Sequence, residues 1–273
     1  MAQTLTQRQT GYEDSYRQKI ISRIPVVIKI DGRSFSKVTL NTQKPFCYKT
    51  MAMLNGTMLS MAKQIDGAVF GYQYSDKIIL ILKNDRSPDE DAWFGNDVQM
   101  LSSVSSSMAT YEFMNQLWEN ENPPDLNGKI VFRSHVFGVP NITETINYLI
   151  YKQYHCMQKG ITDAVFSVLA PRYGKDVSSM LEDKNLEDRK KILDESGFSW
   201  EALPGAFRMG SAVYLVPRLI DTVHGQVTQH KWVLDFNLPM FTEEREWLRT
   251  ILTTGSDIFR PERDLNDALQ GSG

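Results

Sequence analysis

The stretch VVIKIDGRSFSKV, Val26 to Val38, decides the fold, because a short apolar run ends abruptly in a carboxylate. The segment Pro25–Asp31 is short and rich in β-branched residues, which predicts a buried strand. Asp31 is followed by a glycine and an arginine. Such a sequence is typical either of an ordinary turn or of a metal-dependent phosphate site. The rest of the chain has to distinguish the two.

The segments after this strand predict an α+β fold. Apolar residues recur at three- and four-residue spacing in two segments, which indicates two amphipathic helices. Two short apolar runs with polar residues between them predict a hairpin, and one more strand follows. The order β-α-β-β-α-β is that of the ferredoxin-like unit, an antiparallel sheet with helices. The helices are predicted from Pro45 to about Ile65 and from Asn96 to about Leu117, the hairpin within Gly67–Leu82, and the last strand at Lys129–Val139.

The second half of the chain is predicted to be mainly helical, with a small β appendage. Asn141 is a plausible N-cap, because Glu144 follows three residues later and apolar residues recur beyond it. We expect residues 1–139 to form one domain built on the β-α-β-β-α-β unit and residues 140–273 to form a helical and β subdomain packed with it as one unit. Further helices are predicted at Ser178–Asp183 and Leu186–Ser196, and strands within Gly210–Ile220 and Lys231–Phe241.

Composition excludes several classes of protein. The longest apolar runs fall far short of the ~20 residues of a membrane helix, and the N-terminal residues carry no apolar signal segment. We therefore expect a cytoplasmic protein with no membrane partner. Cys47 and Cys156 lack the spacing of a structural zinc site. A net charge of −3 argues against indiscriminate nucleic-acid binding but leaves a local basic groove open.

The predicted topology brings two distant carboxylates together. In a ferredoxin-like sheet the first strand lies antiparallel beside the third, so the end of one adjoins the start of the other. Asp31 closes the first strand, and Asp76 opens the third. Carboxylate oxygens suit Mg²⁺, and two such ions would support phosphoryl transfer. Turn chemistry still explains Asp-Gly and Ser-Asp-Lys without any metal.

Several motifs occur in an order that resembles one family. They are IDGRSFSKV, KPF, GAVFGYQYSD, AWFGNDVQMLSSVSSSMAT, FGVP, NYLIYKQ, LPGAFRMGS and WVLDFNLPMF, running from about Pro25 to Phe241. The chain resembles the tRNA-histidine guanylyltransferase family, in particular its bacterial and viral members. These are 3′-to-5′ polymerases that add nucleotides to RNA 5′ ends. The family fold is similar to a polymerase palm, which agrees with the order of elements predicted above.

The resemblance implies a reaction and its participants. ATP would activate an RNA 5′-monophosphate, and the 3′-hydroxyl of an incoming nucleotide would attack it, or attack a 5′-triphosphate directly. ATP, GTP and a tRNA or other RNA 5′ end are therefore expected partners, and the protein would be a homo-oligomer, a dimer or tetramer. Two Mg²⁺ ions would be held by Asp31, the Gly32 carbonyl and Asp76, which would be the catalytic centre. The nucleotide would be bound by Lys29, Gly32, Arg33, Ser34, Phe35, Lys44 and Ser75.

The chain departs from the family pattern at functional positions. Lys77 follows Asp76 where a carboxylate is expected, and it either competes with Mg²⁺ or points to the other side of the strand. The added cations Lys152 and Lys159, with the remaining Arg208, are either RNA or phosphate contacts or solvated surface. The alternative hypothesis is a diverged protein that binds tRNA or nucleotide without transfer, or uses a different acceptor. The other departures are Cys47, Arg133, Tyr151, His155 and Met209.

Overall fold

A computed structural model describes residues 3–85, 91–222 and 225–258 of the chain. Within these ranges, none of the helices combines the length and apolar character that a membrane crossing requires. The strands are β1 Val26–Gly32, β2 Ala68–Tyr74, β3 Lys77–Leu82, β4 Phe132–Gly138, β5 Ser211–Thr222 and β6 Gly225–Asp235. The helices are α1 Leu5–Asp14, α2 Phe35–Val38, α3 Tyr48–Gln64, α4 Val98–Glu119, α5 Ile142–Tyr173, α6 Val177–Leu181, α7 Leu186–Glu195, α8 Gly205–Met209 and α9 Arg245–Thr254.

The predicted α+β fold class is confirmed. The β-α-β-β-α-β order is formed by β1, α3, β2, β3, α4 and β4, and β1 lies between β3 and β4 in an antiparallel sheet. Helix α3 begins at Tyr48, after Cys47 as its N-cap, rather than at Pro45. Sequence periodicity did not predict the short helix α2 or the peripheral helices α1 and α9.

The two C-terminal strands continue the main sheet instead of forming a separate appendage. The strand order is β4-β1-β3-β2-β5-β6, because β5 pairs with β2 and β6 pairs with β5. Strand β6 ends at Asp235, six residues before the predicted end at Phe241. The Asp235 side chain accepts hydrogen bonds from the Asn237 backbone N–H and the Tyr214 hydroxyl, each at 2.8 Å. These bonds hold the chain in a turn at this point.

The sheet is buried on both faces, and this determines where its charged residues lie. Alternate strand residues point to opposite faces. Ile28 and Ile30 pack in the core beneath α3 and α4, whereas Val27 and Ile79 pack in the core beneath α5 and α9. By this alternation, Lys29 and Asp31 belong to the face that α5 covers. The charged residues therefore lie at the end of the strands, beside α5.

Candidate functional site

The two aspartates meet at the strand ends, as the topology predicts. Asp76 lies in the two-residue turn between β2 and β3, and its backbone carbonyl accepts a hydrogen bond from the Gly32 N–H at 3.3 Å. Ser75 precedes it with a φ of 52°, the left-handed conformation that a tight hairpin turn demands. Asp31 is buried, and Asp76 is partly exposed. A buried and an accessible carboxylate thus lie at the same end of two neighbouring strands, β1 and β3.

Each of these aspartates contacts a cation from its own chain. Residues directly opposite each other in a sheet point to the same face. Asp31 lies opposite Lys77 of β3 on one side and opposite Arg133 of β4 on the other. Arg133 Nε lies 2.5 Å from Asp31 Oδ2, and Lys77 Nζ lies 2.7 Å from Asp76 Oδ1. We call the row Lys77, Asp31 and Arg133 the charged rung. Of the two orientations open for Lys77, the structure has the one on the side of the aspartates, in which its Nζ contacts Asp76.

The charged rung forms part of a cleft of about 470 Å³. The cleft lies between the strand ends, the segment before α3, and one side of α5 and α8. Most of the residues predicted to bind metal or nucleotide line it, together with four of the departures from the family pattern. Its lining includes Lys29, Asp31, Gly32, Ser34, Phe35, Lys44, Cys47, Ser75, Asp76, Lys77, Arg133, Lys159, Asp163 and Phe207.

Three predicted contact residues do not line the cleft. The Arg33 side chain is exposed, and its backbone N–H donates to the Val131 carbonyl at 2.8 Å. Arg208 is partly buried, and its Nε donates to the Leu203 carbonyl at 2.8 Å. Lys152 lies on α5 outside the cleft. Roles for these residues remain predictions and would require contacts beyond the cleft.

Lys152 is held against aromatic rings beside the charged rung. Its Nζ lies 4.5 Å from the ring centre of Tyr151 and 5.0 Å from that of Tyr148. Burial first, and then repulsion from Lys29 and Lys77, lowers the pKa of Lys152. Because this repulsion is mutual, the charge of Lys152 also adds to the positive potential at Lys29 and Lys77.

Sequence reasoning missed two features of the cleft wall. The rings of Phe46 and Phe207 stack at 4.3 Å between centroids, and Tyr48 meets Phe207 edge-on at 5.0 Å. Asp163 of α5 forms an ion pair with Lys159 one helical turn away. The i, i+4 spacing of Lys159 and Asp163 could have revealed the ion pair, but nothing in the sequence joins the KPF and LPGAFRMGS segments.

Cys156 is the buried cysteine of the cleft wall. Burial raises the pKa of its thiol to about 12. The thiolate, the reactive form, is therefore scarce at neutral pH, and Cys156 is not a candidate nucleophile.

Packing alone requires a glycine at position 32, independently of any role of Gly32 in binding. A Cβ at this position would lie 2.3 Å from Cδ2 of Phe35. The Phe35 ring is buried and packs against Phe113 and Phe132, each at 5.9 Å between centroids. The glycine therefore allows the chain to turn from β1 into α2 over a filled aromatic core.

The side chains at the charged rung do not fit a pair of divalent cations as they are arranged. Asp31 and Asp76 supply the oxygen ligands that Mg²⁺ prefers. However, Lys77 and Arg133 lie at hydrogen-bond distance from these carboxylates, where a metal ion would bind. The described residues contain no group of three or more histidine, cysteine, aspartate or glutamate side chains that could hold a metal.

The chain matches a known family along its first half. Residues 6–140 match the family model described as tRNAHis guanylyltransferase. The tRNA(His) guanylyltransferase 1 of Arabidopsis thaliana is 23% identical over 227 residues, which cover 79% of this chain and 38% of the plant protein. A probable tRNA(His) guanylyltransferase of Dictyostelium discoideum is 22% identical over 217 residues, covering 76% of this chain and 82% of that protein. This chain thus spans little more than a third of the Arabidopsis relative.

Solved structures share the fold over most of the chain. A bacterial tRNA(His) guanylyltransferase-like protein in complex with ATP superposes with a TM-score of 0.76 and 25% identity, covering 91% of this chain and 99% of the other. The same type of bacterial protein in complex with GTP superposes with a TM-score of 0.69 and 24% identity, covering 92% of this chain and 99% of the other. The tRNA(His) guanylyltransferase of Saccharomyces cerevisiae superposes with a TM-score of 0.66 and 19% identity, covering 86% of this chain and 99% of the yeast protein. The family resemblance inferred from the motifs is confirmed.

Proposed function

We propose that this chain, a relative of the tRNAHis guanylyltransferases, binds a nucleoside triphosphate in the cleft and transfers the nucleotide to the 5′ end of a tRNA or another RNA. One observation carries the proposal. Asp31 and Asp76 meet at the strand ends of a palm-like sheet and line a cleft that also has four lysines and one arginine in its lining. ATP and GTP are the expected nucleotides, because structurally similar bacterial proteins are complexes with them.

The cleft has separate features for the phosphates and for the base. Lys44 precedes α3 in the chain and is exposed, and its Nζ donates to the Thr39 carbonyl at 2.8 Å. That helix has no side-chain hydrogen bond from its N-cap Cys47, so its first N–H groups can bind an anion. The stacked rings of Phe46 and Phe207 offer an apolar wall for a nucleobase. A triphosphate would therefore lie between α3 and Arg133.

The proposed reaction joins two anionic substrates, the nucleoside triphosphate and the RNA 5′ end, at a phosphorus atom of the RNA. The 3′-hydroxyl oxygen of the bound nucleotide forms a bond to the 5′ phosphorus of the RNA. The bond from that phosphorus to its leaving group, pyrophosphate or AMP, breaks, and the hydroxyl proton passes to solvent. The cations of the cleft would oppose the repulsion between the two substrates and orient them.

The test is transfer of labelled nucleotide to a tRNA that lacks its first 5′ nucleotide. We expect the acceptor to lengthen with the wild-type protein and to remain unchanged with an Asp31→Ala, Asp76→Ala double variant. Asp194→Ala is the matched control, because it removes an exposed carboxylate from α7, outside the cleft. Equal lengthening by the double variant would rule out a catalytic role for the paired aspartates.

The ion pairs favour a second candidate function, binding without transfer. Lys77 and Arg133 both contact aspartates that the family resemblance assigns to metal binding. A diverged protein of this kind would hold nucleotide or tRNA and form no product, or would use a different acceptor. This alternative would be supported if calorimetry detects nucleotide binding while the tRNA acceptor is not lengthened with any of the nucleoside triphosphates.

Two expectations from the resemblance remain predictions. Two Mg²⁺ ions at Asp31 and Asp76 would have to displace the contacts of Lys77 and Arg133. Assembly as a dimer or tetramer can be checked by native mass spectrometry of the purified protein.

A further inference from the structure

The charged rung is built by strand pairing and not by chance contacts of flexible side chains. Lys77 and Arg133 flank Asp31 because β3 and β4 pair with β1 in these registers. A shift by one residue would move each side chain to the opposite face, so the hydrophobic cores on both faces fix the register. The two cationic residues therefore have fixed positions beside Asp31 in the sheet, and both line the cleft.

The described lining of the cleft is positively charged even though the whole chain carries a net charge of −3. Its lining has five cationic side chains and three carboxylates. Each of the carboxylates contacts a cation: Asp31 contacts Arg133, Asp76 contacts Lys77, and Asp163 contacts Lys159. A paired carboxylate attracts a further cation weakly, because its charge is already neutralised.

The same cations remain available to phosphate. The side chain of Arg133 is 74% exposed, so much of its guanidinium group faces solvent while Nε contacts Asp31. A guanidinium can bind two phosphate oxygens with parallel N–H groups, and a lysine acts as a compact point charge. Lys44 has its contact with a backbone carbonyl and not with a carboxylate. These groups can neutralise a triphosphate as Mg²⁺ does elsewhere.

We propose that this cleft binds the triphosphate of ATP or GTP without a divalent cation, with Lys77 and Arg133 supplying the positive charge. The inference rests on the proposed nucleotide-binding function and states which charges hold the nucleotide. It concerns binding, so it holds whether or not the protein transfers the nucleotide.

The experiment measures the Kd of ATP and of GTP by calorimetry, once in Mg²⁺ and once in excess EDTA. We expect the wild-type Kd to differ by less than about threefold between the two conditions. Lys77→Glu should weaken binding in EDTA by at least about tenfold and should restore part of it in Mg²⁺, because the introduced carboxylate repels phosphate and attracts the metal. Lys63→Glu makes the same charge change on an exposed part of α3 and should have no effect.

A second variant and a second readout guard against misfolding. Arg133→Gln alters a largely exposed side chain, so the fold should persist while the Kd in EDTA rises by about threefold to tenfold. Paramagnetic resonance of added Mn²⁺, with no nucleotide present, should show negligible binding to wild type and measurable binding to Lys77→Glu. Tight Mn²⁺ binding by the wild type would overturn the inference.

The outcomes separate this inference from the proposed function. Wild-type binding in Mg²⁺ that disappears in EDTA would overturn the inference and leave the proposed function standing. Metal-independent binding that Lys77→Glu and Arg133→Gln leave unchanged would also overturn it. Absence of ATP and GTP binding under both conditions would overturn the proposed function and the inference together.

Discussion

Asp31 and Arg133 face each other across the β1–β4 pairing, and Arg133 Nε lies 2.5 Å from Asp31 Oδ2. The aspartate is buried, whereas the arginine side chain is 74% exposed. This contact links the strand end that the sequence marks as functional to the strand that completes the sheet. It also places a cation at a carboxylate that the family resemblance assigns to metal binding.

The Asp31–Arg133 pair should have a measurable coupling free energy. In a double-mutant cycle with Asp31→Ala and Arg133→Ala, we expect a coupling of about 0.5–1 kcal/mol in the free energy of unfolding. The value is modest because solvent screens the exposed guanidinium. Urea unfolding of the four proteins provides the measurement. Fully additive losses would contradict the contact.

Gly32 should be intolerant of any side chain. Gly32→Ala should lower the free energy of unfolding by about 1–3 kcal/mol, since the added Cβ displaces the Phe35 ring from its aromatic neighbours. Gly11→Ala is the matched control, because no atom lies within 4 Å of a Cβ there and the residue is inside α1. We expect the control to be neutral or stabilising by up to about 1 kcal/mol in urea unfolding.

His155 should report the positive potential near the cleft. Its pKa lies below the ordinary value of 6.5 because burial disfavours the imidazolium form, and because Lys152 and Lys77 repel it. The unfolded chain therefore binds this proton more readily, so the contribution of His155 to stability rises with pH between the folded and unfolded pKa values. It is lost as the pH falls through that window.

Removal of the Lys152 charge should raise the pKa of His155. We expect Lys152→Gln to shift the NMR titration of this histidine upward, toward its ordinary value, because one repelling charge is gone. Lys63→Gln, on a helix that covers the other face of the sheet, should leave the titration unchanged. A downward shift in Lys152→Gln would contradict the electrostatic account.

The two cysteines should differ in reactivity. Cys47 lines the cleft and is partly exposed, whereas Cys156 is 3% exposed, and burial raises the pKa of its thiol to about 12. Iodoacetamide should therefore modify Cys47 alone, as mass spectrometry of the digested protein would show. Bound ATP should slow this modification, because the triphosphate would lie beside α3. Cys47→Ser should abolish the label, and rapid labelling of Cys156 would contradict its burial.

The sequence by itself determined the order of the elements and the juxtaposition of the two aspartates. Hydrophobic periodicity separates strands from helices locally, and the β-α-β-β-α-β order then leaves few topologies. The closeness of Asp31 and Asp76 follows from that order, since one lies at the end of the first strand and the other lies in the turn that leads into the third. The motifs that carry the family resemblance are also local, and the relatives and solved structures that the chain matches are about a quarter identical to it or less.

Only the tertiary structure decided how the charges around these aspartates are arranged. The direction of Lys77 depends on the register of β1 with β3, and the contact of Arg133 depends on the register of β1 with β4. The continuation of the sheet by β5 and β6 depends in the same way on pairing with β2. Register is set by packing between segments far apart in the chain, and a shift of one residue reverses every side chain. Local sequence patterns carry no such information, so the ion pairs at the candidate site emerge only from the folded sheet.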